Sequence, residues 1–268
     1  MAFHTWQIGL DIQNRQMCAL ALQPRRDGWQ LRHWWLQRLP QDTLRNGVLQ
    51  SSPELQAVLT AWRQQLPRRY SLRVGLPARL VLQRPLPLPA QSLKEPALGH
   101  YVQVAARRLF PLEPDTLALD YRPAAQSDQL CVTAARRESV DQWMTPLWQA
   151  GLKPQVLELT TDALTRLARQ AQLPRGTVLV LQQERHWLWS DAQTAAEIND
   201  VTTLDALKRQ AFPHATAVAW CAAVPAALPA DAVAFSPFDL LRYQQPPLPI
   251  NPGAFALAAG LALRTGDE

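Results

Sequence analysis

The chain has 268 residues and a hydrophobic fraction of 47%, enough to form the core of one large domain or of two lobes. Its net charge is +5, and its three cysteines, Cys18, Cys131 and Cys221, stand far apart, which argues against a disulfide framework and a zinc site. With no visible signal peptide and no apolar stretch longer than residues 254–263, we expect a cytosolic protein rather than one that spans a membrane.

Strands and helices alternate along the sequence, as is typical of a mixed α/β protein. Apolar patterns predict strands over residues 6–10, 16–22, 30–37, 72–76, 79–86, 117–122, 130–135, 177–181, 186–190, 218–221 and 233–235. Apolar residues at helical spacing predict helices over residues 52–66, 98–110, 140–150, 161–170 and 203–211, and a last helix after Asn251 and Pro252. Pro85 and Pro87 indicate that the strand over residues 79–86 lies at a sheet edge, because proline lacks the N–H that a central strand needs.

The usual signatures of catalysis and metal binding are absent from the sequence. The five histidines lack the spacing of a metal-ligand pair, and there is no Walker-type loop, dinucleotide-binding glycine motif or nucleophile elbow. The apolar neighbours of Cys18 and Cys131 predict buried thiols rather than nucleophiles. We therefore predict no catalytic residue and no metal site.

The first predicted hairpin carries the one pattern that suggests nucleotide chemistry. Its first strand leads to Asp11, and Gln13 and Asn14 follow in the turn. In actin-like ATPases such a hairpin carries Asp-x-Gly: the aspartate organises the metal and its waters, and the glycine lets backbone N–H groups approach the phosphates. An aspartate at a strand end is also a common turn residue, so this hairpin alone leaves both interpretations open.

Further segments follow one another in a characteristic order. They are Val74-Gly75-Leu76-Pro77, residues 105–112, Leu119-Asp120-Tyr121, residues 132–138, Ala150-Gly151-Leu152-Lys153-Pro154, Ser236-Pro237-Phe238 and residues 260–264. In this order they resemble the PilM family of type IV pilus assembly proteins. The short length and the high tryptophan content are most similar to an enterobacterial member associated with DNA utilisation, whose relatives serve competence pilus systems.

The resemblance implies an α/β fold of the actin-like (ribonuclease H-like) kind, with two lobes, an inserted subdomain of the PilM/FtsA type and a reduced second lobe. On this basis residues 1–77, 155–172 and 253–268 are assigned to the first actin-like subdomain. Residues 78–154 are assigned to the inserted subdomain, and residues 173–252 to the second lobe.

The resemblance also implies a partner, the short cytoplasmic N-terminal peptide of a PilN-like single-pass inner-membrane protein, held in a groove between the first and inserted subdomains. The corresponding residues in this chain are Arg79, Leu80, Val81, Leu82, Gln83 and Arg84, with Val132 and Ala134 as neighbours. An edge strand there could accept an extended peptide, and ordinary core packing is the alternative for Leu80 and Leu82. Membrane contact is then expected only through the partner, no direct nucleic-acid contact is expected, and self-association is left open.

The nucleotide-binding elements of the family are degraded in this sequence. Gln13 stands where the first loop should have glycine, and the second hairpin has Leu181 and Gln183 where aspartate and glycine are expected. Glu184 adds a negative charge beside the phosphate path, and the chain has no Gly-Gly pair for an adenosine-binding segment. We therefore predict a pseudo-ATPase without a cofactor, in which Asp11, Gln13 and Asn14 are the remnant of a nucleotide site.

The leading hypothesis is a non-catalytic cytoplasmic scaffold of a type IV pilus-like DNA-uptake machine. One alternative is a nucleotide-binding actin-like ATPase of the same assembly platform, which would need the phosphate loops that this chain lacks. The other is a basic nucleic-acid-binding protein. The net charge permits it, but the arginine pairs are spread along the chain rather than gathered in one basic run.

Overall fold

Strands and helices alternate in the structure, a computed structural model that describes residues 5–40, 42–89, 92–124, 128–184 and 186–265. The strands are β1 (Trp6–Ile12), β2 (Gln16–Arg25), β3 (Gly28–Arg38), β4 (Leu44–Arg45), β5 (Val48–Leu49), β6 (Tyr70–Leu76), β7 (Val81–Pro87), β8 (Leu117–Pro123), β9 (Gln129–Arg136), β10 (Pro154–Leu159), β11 (Thr177–Gln182), β12 (His186–Ser190), β13 (Ala195–Asn199), β14 (Ala217–Ala222) and β15 (Val233–Ala234). The helices are α1 (Pro53–Gln65), α2 (Ala97–Leu109), α3 (Arg137–Gln149), α4 (Thr160–Gln170), α5 (Leu204–Ala211) and α6 (Ala256–Ala262), with 3₁₀ turns at Ala78–Leu80, Pro114–Thr116, Pro237–Leu240 and Pro252–Phe255. None of the described helices is long and apolar enough to cross a membrane.

Five strands form the first sheet, in the order β10-β6-β1-β2-β3. Strands β1, β2 and β3 are consecutive and antiparallel. On the other side of β1, β6 pairs with β1 in parallel, and β10 pairs with β6 in parallel. One face of the sheet buries Ile8, Leu10 and Val74 in a core shared with α1 and α3. The start of α1 is capped, since the Leu55 N–H donates to the Ser52 hydroxyl at 3.1 Å.

The second sheet repeats the topology of the first. Its order is β13-β12-β11-β14-β15, with β11, β12 and β13 antiparallel and with β14 and β15 added in parallel. Its strands are shorter, because β13 has five residues where its counterpart β3 has eleven. The chain thus contains the same five-stranded unit twice, the second time in reduced form.

Helices α4 and α6 form a layer between the two sheets. Leu20 on β2 and Leu179 on β11 lie in one buried core with both helices. Two glycines keep this layer thin: a Cβ added to Gly9 on β1 would lie 2.0 Å from the Ala258 carbonyl oxygen on α6. A Cβ added to Gly260 on α6 would lie 2.1 Å from a backbone oxygen of α4, so neither position has room for a side chain.

A three-stranded antiparallel sheet, in the order β7-β9-β8, is inserted between β6 and β10. Helix α2 covers one face of it, where Leu86, Val102 and Val132 are buried. Helix α3 follows this sheet in the chain but packs in the core of the first sheet, through Trp143 and Leu147. The predicted inserted subdomain, residues 78–154, therefore contains a helix that belongs to the first core, and the domain boundaries stay a prediction.

All the predicted strands and helices are present, with their ends shifted by a few residues. The structure differs from the prediction in the start of one strand and in four additional strands. The strand predicted over residues 79–86 begins only at Val81, because residues 78–80 form a 3₁₀ turn in which the Leu80 N–H donates to the Pro77 carbonyl. Four strands were not predicted: β4 and β5 have only two residues each, β13 consists mostly of small and polar residues, and the apolar run of β10 leads directly into helix α4. Helix α3 continues through Pro146 to Gln149.

Replacing Gly260 by alanine should destabilise the fold, because the new methyl group would collide with the backbone of α4. We expect the free energy of unfolding to fall by about 1–3 kcal/mol, as for other overpacked cores. Chemical denaturation followed by circular dichroism measures this change.

Gly99→Ala on α2 is the matched control. The atoms nearest an added Cβ there are the ends of the Glu95 and Tyr121 side chains, both at 3.2 Å, and these can move aside. Alanine also has a higher helix propensity than glycine. Equal unfolding free energies for Gly260→Ala and the wild type would contradict the close packing of α4 and α6.

Candidate functional site

The predicted nucleotide-site remnant lines a cleft of about 350 Å³ between the tips of the two sheets. Asp11, Gln13 and Asn14, all from the β1–β2 hairpin, contribute to its wall, so the structure brings these three predicted residues together. Asp11 is only 3% exposed. Burial raises the pKa of its carboxyl group to about 7, and a hydrogen bond from Gln13 acts in the opposite direction.

The Gln13 side chain is buried in the wall of the cleft and makes hydrogen bonds in several directions. Its Nε2 donates to Asp11 Oδ2 at 2.7 Å and to the Ala254 carbonyl at 3.3 Å. Its Oε1 accepts a hydrogen bond of 2.8 Å from Gln16, whose Nε2 also donates to the Ala223 carbonyl at 2.8 Å. One network of side-chain amides thus ties the first hairpin to segments beside β14 and α6.

The second hairpin, between β11 and β12, meets the first one directly. Leu181 points into the core and is 1% exposed, and the Gln183 N–H donates to the His186 carbonyl at 2.9 Å to close the turn. The Glu184 carboxylate contacts Arg15 at 3.2 Å and Asn14 Nδ2 at 3.4 Å. The two hairpin tips are therefore joined by side chains at the position where the resemblance places phosphates.

A partly buried ion pair also crosses the cleft. Arg79, in the 3₁₀ turn before β7, pairs with Glu197 on β13, whose side chain is 6% exposed. His186 Nε2 lies 3.7 Å from the same carboxylate. Burial, with a smaller contribution from Arg79, lowers the pKa of His186 to about 4, so the imidazole is neutral at pH 7. Burial raises the pKa of Glu197, and Arg79 opposes that effect.

The charges of the cleft disfavour an anionic ligand. Four carboxyl groups line it, those of Asp11, Glu184, Glu197 and Asp200, against the two guanidinium groups of Arg15 and Arg79. A triphosphate would meet this excess of acidic groups without a set of cations to balance it. Within the described part of the chain, no cluster of three or more His, Cys, Asp or Glu side chains could hold a metal ion.

A second candidate site is a groove of about 630 Å³ between the inserted sheet and the first sheet. One wall is the face of the inserted sheet opposite α2, where Gln83, Asp120 and Thr133 lie side by side across β7, β9 and β8. The other wall is β10 together with the start of α4. Arg122 on β8 reaches across to Asp162 on α4 at 3.0 Å and joins the two walls.

Two strand edges face this groove. Strand β10 is the last strand of the first sheet and β8 is the last strand of the inserted sheet; on their outer sides neither is paired with another described strand. Unpaired backbone N–H and C=O groups at such edges accept an extended chain by strand addition. The seven residues of β8 span roughly 23 Å, which is room for about seven residues of extended peptide.

The six residues predicted to bind the partner point in three directions. Val81 and Gln83 line the groove, as alternate residues of one strand face. Leu80 and Leu82 line a smaller hollow of about 320 Å³ beside Leu112. Arg84 is exposed on the same face as Leu82, opposite the groove. Arg79 turns to the cleft, as described above.

The neighbours predicted from the sequence, Val132 and Ala134, pair with Arg84 and Leu82, but both are buried under α2 and lie away from the groove. Conversely, Cys131 was expected to be buried and is half-buried at the groove, because alternation along β9 places it opposite the α2 core. Cys18 and Cys221 are buried, and burial raises the pKa of both thiols.

The sequence analysis missed most of the groove. Strand β10 was not predicted, and its residues Gln155 to Leu159 supply one wall. The signal that could have found it is the apolar run of Val156, Leu157 and Leu159 directly after Pro154. Glu197 was also missed, since its role depends on Arg79, which lies 118 residues earlier in the chain.

Comparison with known proteins gives consistent matches along the chain. The model of the family "Type IV pilus assembly protein PilM" matches residues 9–179. The chain is 29% identical over 266 residues to the DNA utilization protein HofM of Escherichia coli (strain K12), covering 98% of both chains. This match agrees with the resemblance seen in the sequence, which was strongest to a family member associated with DNA utilisation.

Two solved structures share the fold. The PilM-PilN type IV pilus biogenesis complex aligns with a TM-score of 0.63 at 18% identity, covering 96% of this chain and 97% of the other. The cytoplasmic domain of EpsL, an inner-membrane component of the type II secretion system of Vibrio cholerae, aligns with a TM-score of 0.53 at 13% identity, covering 97% and 95%. The predicted actin-like α/β fold is confirmed, and the chain belongs to the PilM family of type IV pilus assembly proteins.

Proposed function

We propose that this protein is a non-catalytic scaffold of a type IV pilus-like DNA-uptake machine. It binds the cytoplasmic N-terminal peptide of a PilN-like inner-membrane protein in the groove between the inserted sheet and β10, and it is held at the cytoplasmic side of the inner membrane by that partner. The observation that carries this proposal is the groove itself. It is bordered by two strand edges that pair with no other described strand on their outer sides, and its floor is partly polar and partly apolar, which suits an extended peptide.

The DNA-uptake context rests on the relatives. One of the matching solved structures is a PilM-PilN type IV pilus biogenesis complex, and a curated relative that covers nearly the whole chain is a DNA utilization protein. The first name fits a pilus-like machine, and the second fits the use of DNA. The partner peptide is carried over from the first relative, and the use of DNA from the second.

The non-catalytic part of the proposal rests on the cleft. Gln13, Gln16, Asn14 and Arg15 bind protein groups across it, so the contacts that a nucleotide would make are already made by side chains. The excess of carboxyl groups adds a repulsive term for phosphates. A scaffold that keeps its lobes together in this way needs no ATP to hold its shape.

Peptide binding can be tested with a synthetic peptide of the PilN-like partner's N-terminus. Thr133→Arg and Gln83→Arg place a large charged side chain on the groove floor and should weaken binding at least about tenfold, measured by isothermal titration calorimetry. Arg84→Glu is the control on the same strand, because Arg84 lies on the opposite face and its charge reversal should leave the affinity unchanged.

Cys131 offers an independent test of the same groove. It is the one cysteine that is not buried, so a maleimide should label it first. Bound peptide should slow this labelling several-fold, and labelled protein should lose peptide binding. Cys131→Ser should bind the peptide and resist the reagent. Peptide binding that survives both labelling and Thr133→Arg would move the site elsewhere.

We expect no saturable binding of magnesium-ATP at sub-millimolar nucleotide, because Gln13 occupies the phosphate path and Glu184 adds charge of the same sign. Isothermal titration calorimetry at neutral pH measures this. A saturable isotherm that disappears on Asp11→Ala would instead assign the protein to the nucleotide-binding alternative.

Asp11→Asn should stabilise the protein at neutral pH, because Asp11 is buried with a pKa raised from 3.8 to about 7. The native state then holds a proton that the unfolded state releases, so wild-type stability falls as the pH rises from about 4 to 7. At pH 7 and above the variant should gain about 2–4 kcal/mol, and near pH 4 the gain should vanish.

Urea unfolding at a series of pH values measures the gain from Asp11→Asn. Asp141→Asn, at an exposed position on α3, is the control and should show little change. An Asp11→Asn variant that is less stable than the wild type, with the loss growing on addition of magnesium, would show that Asp11 still holds a cation.

A further inference from the structure

The edge of the first sheet opposite the groove carries an apolar loop that packs beside β3. The Leu31 N–H donates to the Tyr243 carbonyl at 2.8 Å, and Trp34 Nε1 donates to the Pro247 carbonyl at 3.1 Å. Tyr243 thus lies beside Leu31, and Pro247 lies beside Trp34, so residues 243–247 run parallel to β3. The loop over residues 246–250 is thereby fastened along the sheet edge.

The loop and the strand beside it expose aliphatic side chains. Ile250 is fully exposed, and Leu248 and Leu36 are each exposed by more than a third. Residues 244–263 contain no charged side chain at all. Single exposed apolar residues are common on protein surfaces, but three in adjacent segments around an uncharged loop form a patch that a partner can cover.

Arginines extend along this edge, from the turn between β2 and β3 to the end of β3. Residues 23–38 and 242–252 contain five arginines, Arg25, Arg26, Arg32, Arg38 and Arg242, and one acidic residue, Asp27, a net charge of +4 for these residues. All five arginines are exposed. Asp27 is already paired with Arg242 at 2.9 Å. We call these five arginines with Leu36, Leu248 and Ile250 the basic edge.

We propose that the basic edge binds the surface of an anionic lipid bilayer directly. Aliphatic side chains on an uncharged loop can enter the headgroup region, while the arginines along the same edge are attracted to anionic lipids. A second copy of the chain is a poor occupant, because the two basic edges would repel each other. Nucleic acid would use the arginines but would gain little from Leu248 and Ile250.

This inference goes beyond the proposed function, in which the membrane is reached only through a partner. The contact with lipid is weak by itself, because a single loop can bury only a few aliphatic carbon atoms in the bilayer. Once the partner peptide holds the protein near the bilayer, the second contact becomes intramolecular and is strengthened by the effective concentration. The lipid contact would then orient the scaffold on the membrane.

The test uses the purified full chain, without partner peptide, in co-sedimentation with lipid vesicles. We expect binding to vesicles of phosphatidylcholine mixed with phosphatidylglycerol, little binding to phosphatidylcholine alone, and loss of binding as salt is raised. Ile250→Asp should weaken binding about tenfold. Val104→Asp, which alters an exposed apolar residue on α2, is its matched control and should have no effect.

The arginines are tested in the same assay. Arg25→Ser with Arg26→Ser should weaken vesicle binding several-fold, whereas Arg107→Ser with Arg108→Ser on α2 removes the same charge and should not. Equal binding to neutral and anionic vesicles, or equal losses in the matched variants, would overturn the proposal.

A DNA oligonucleotide replaces the vesicles in a last arm. If the double variant Arg25→Ser with Arg26→Ser loses DNA binding, and Ile250→Asp changes neither vesicle binding nor DNA binding, the edge is a nucleic-acid surface and the lipid proposal is wrong. Circular dichroism checks that the variants fold. The peptide titration proceeds without lipid, so failure here leaves the proposed function untouched.

Discussion

The close approach of α6 to both β1 and α4 is the contact on which the rest of the structure depends. At Gly9 and Gly260 the neighbouring backbone lies where a side chain would begin, so a helix of small residues can sit between the two sheets. Both sheets bury their facing residues on this layer. The layer also fixes the segment that precedes α6, and Ala254 in that segment accepts the hydrogen bond from Gln13. The packing of the centre therefore sets the geometry of the cleft.

Within the cleft, side chains of the two lobes contact each other at two places, where Arg79 pairs with Glu197 and Arg15 pairs with Glu184. The Asp11 carboxyl group is buried in the same cleft, and this burial raises its pKa. Glu197 is the buried member of its pair, so removing Arg79 would leave a buried carboxylate without its guanidinium partner, which is typically more costly than losing a surface ion pair.

Much of the fold could be predicted from the sequence, because long strands and helices carry their own pattern. The helix over residues 52–66 and the hairpins around Asp11 and Gln183 were found by their apolar patterns. The duplication of the five-stranded unit could not be seen, since β14 and β15 share no sequence signal with β6 and β10. The partner site was predicted over six consecutive residues, but only Val81 and Gln83 of these line the groove between the inserted sheet and β10, because successive side chains of a strand point to opposite faces and residues 78–80 form a 3₁₀ turn.

The two proposed surfaces lie at opposite edges of one sheet. The peptide groove adjoins β10, the basic edge adjoins β3, and three strands lie between them. Measured through the sheet, at about 4.8 Å per strand, the two edges are roughly 19 Å apart. Helices cover both faces of the sheet, so a partner peptide that spans the two proposed surfaces has to pass around the protein and needs more than the roughly six extended residues that this distance alone would take. The cleft lies at the ends of the central strands, β1 and β2, between the two proposed surfaces.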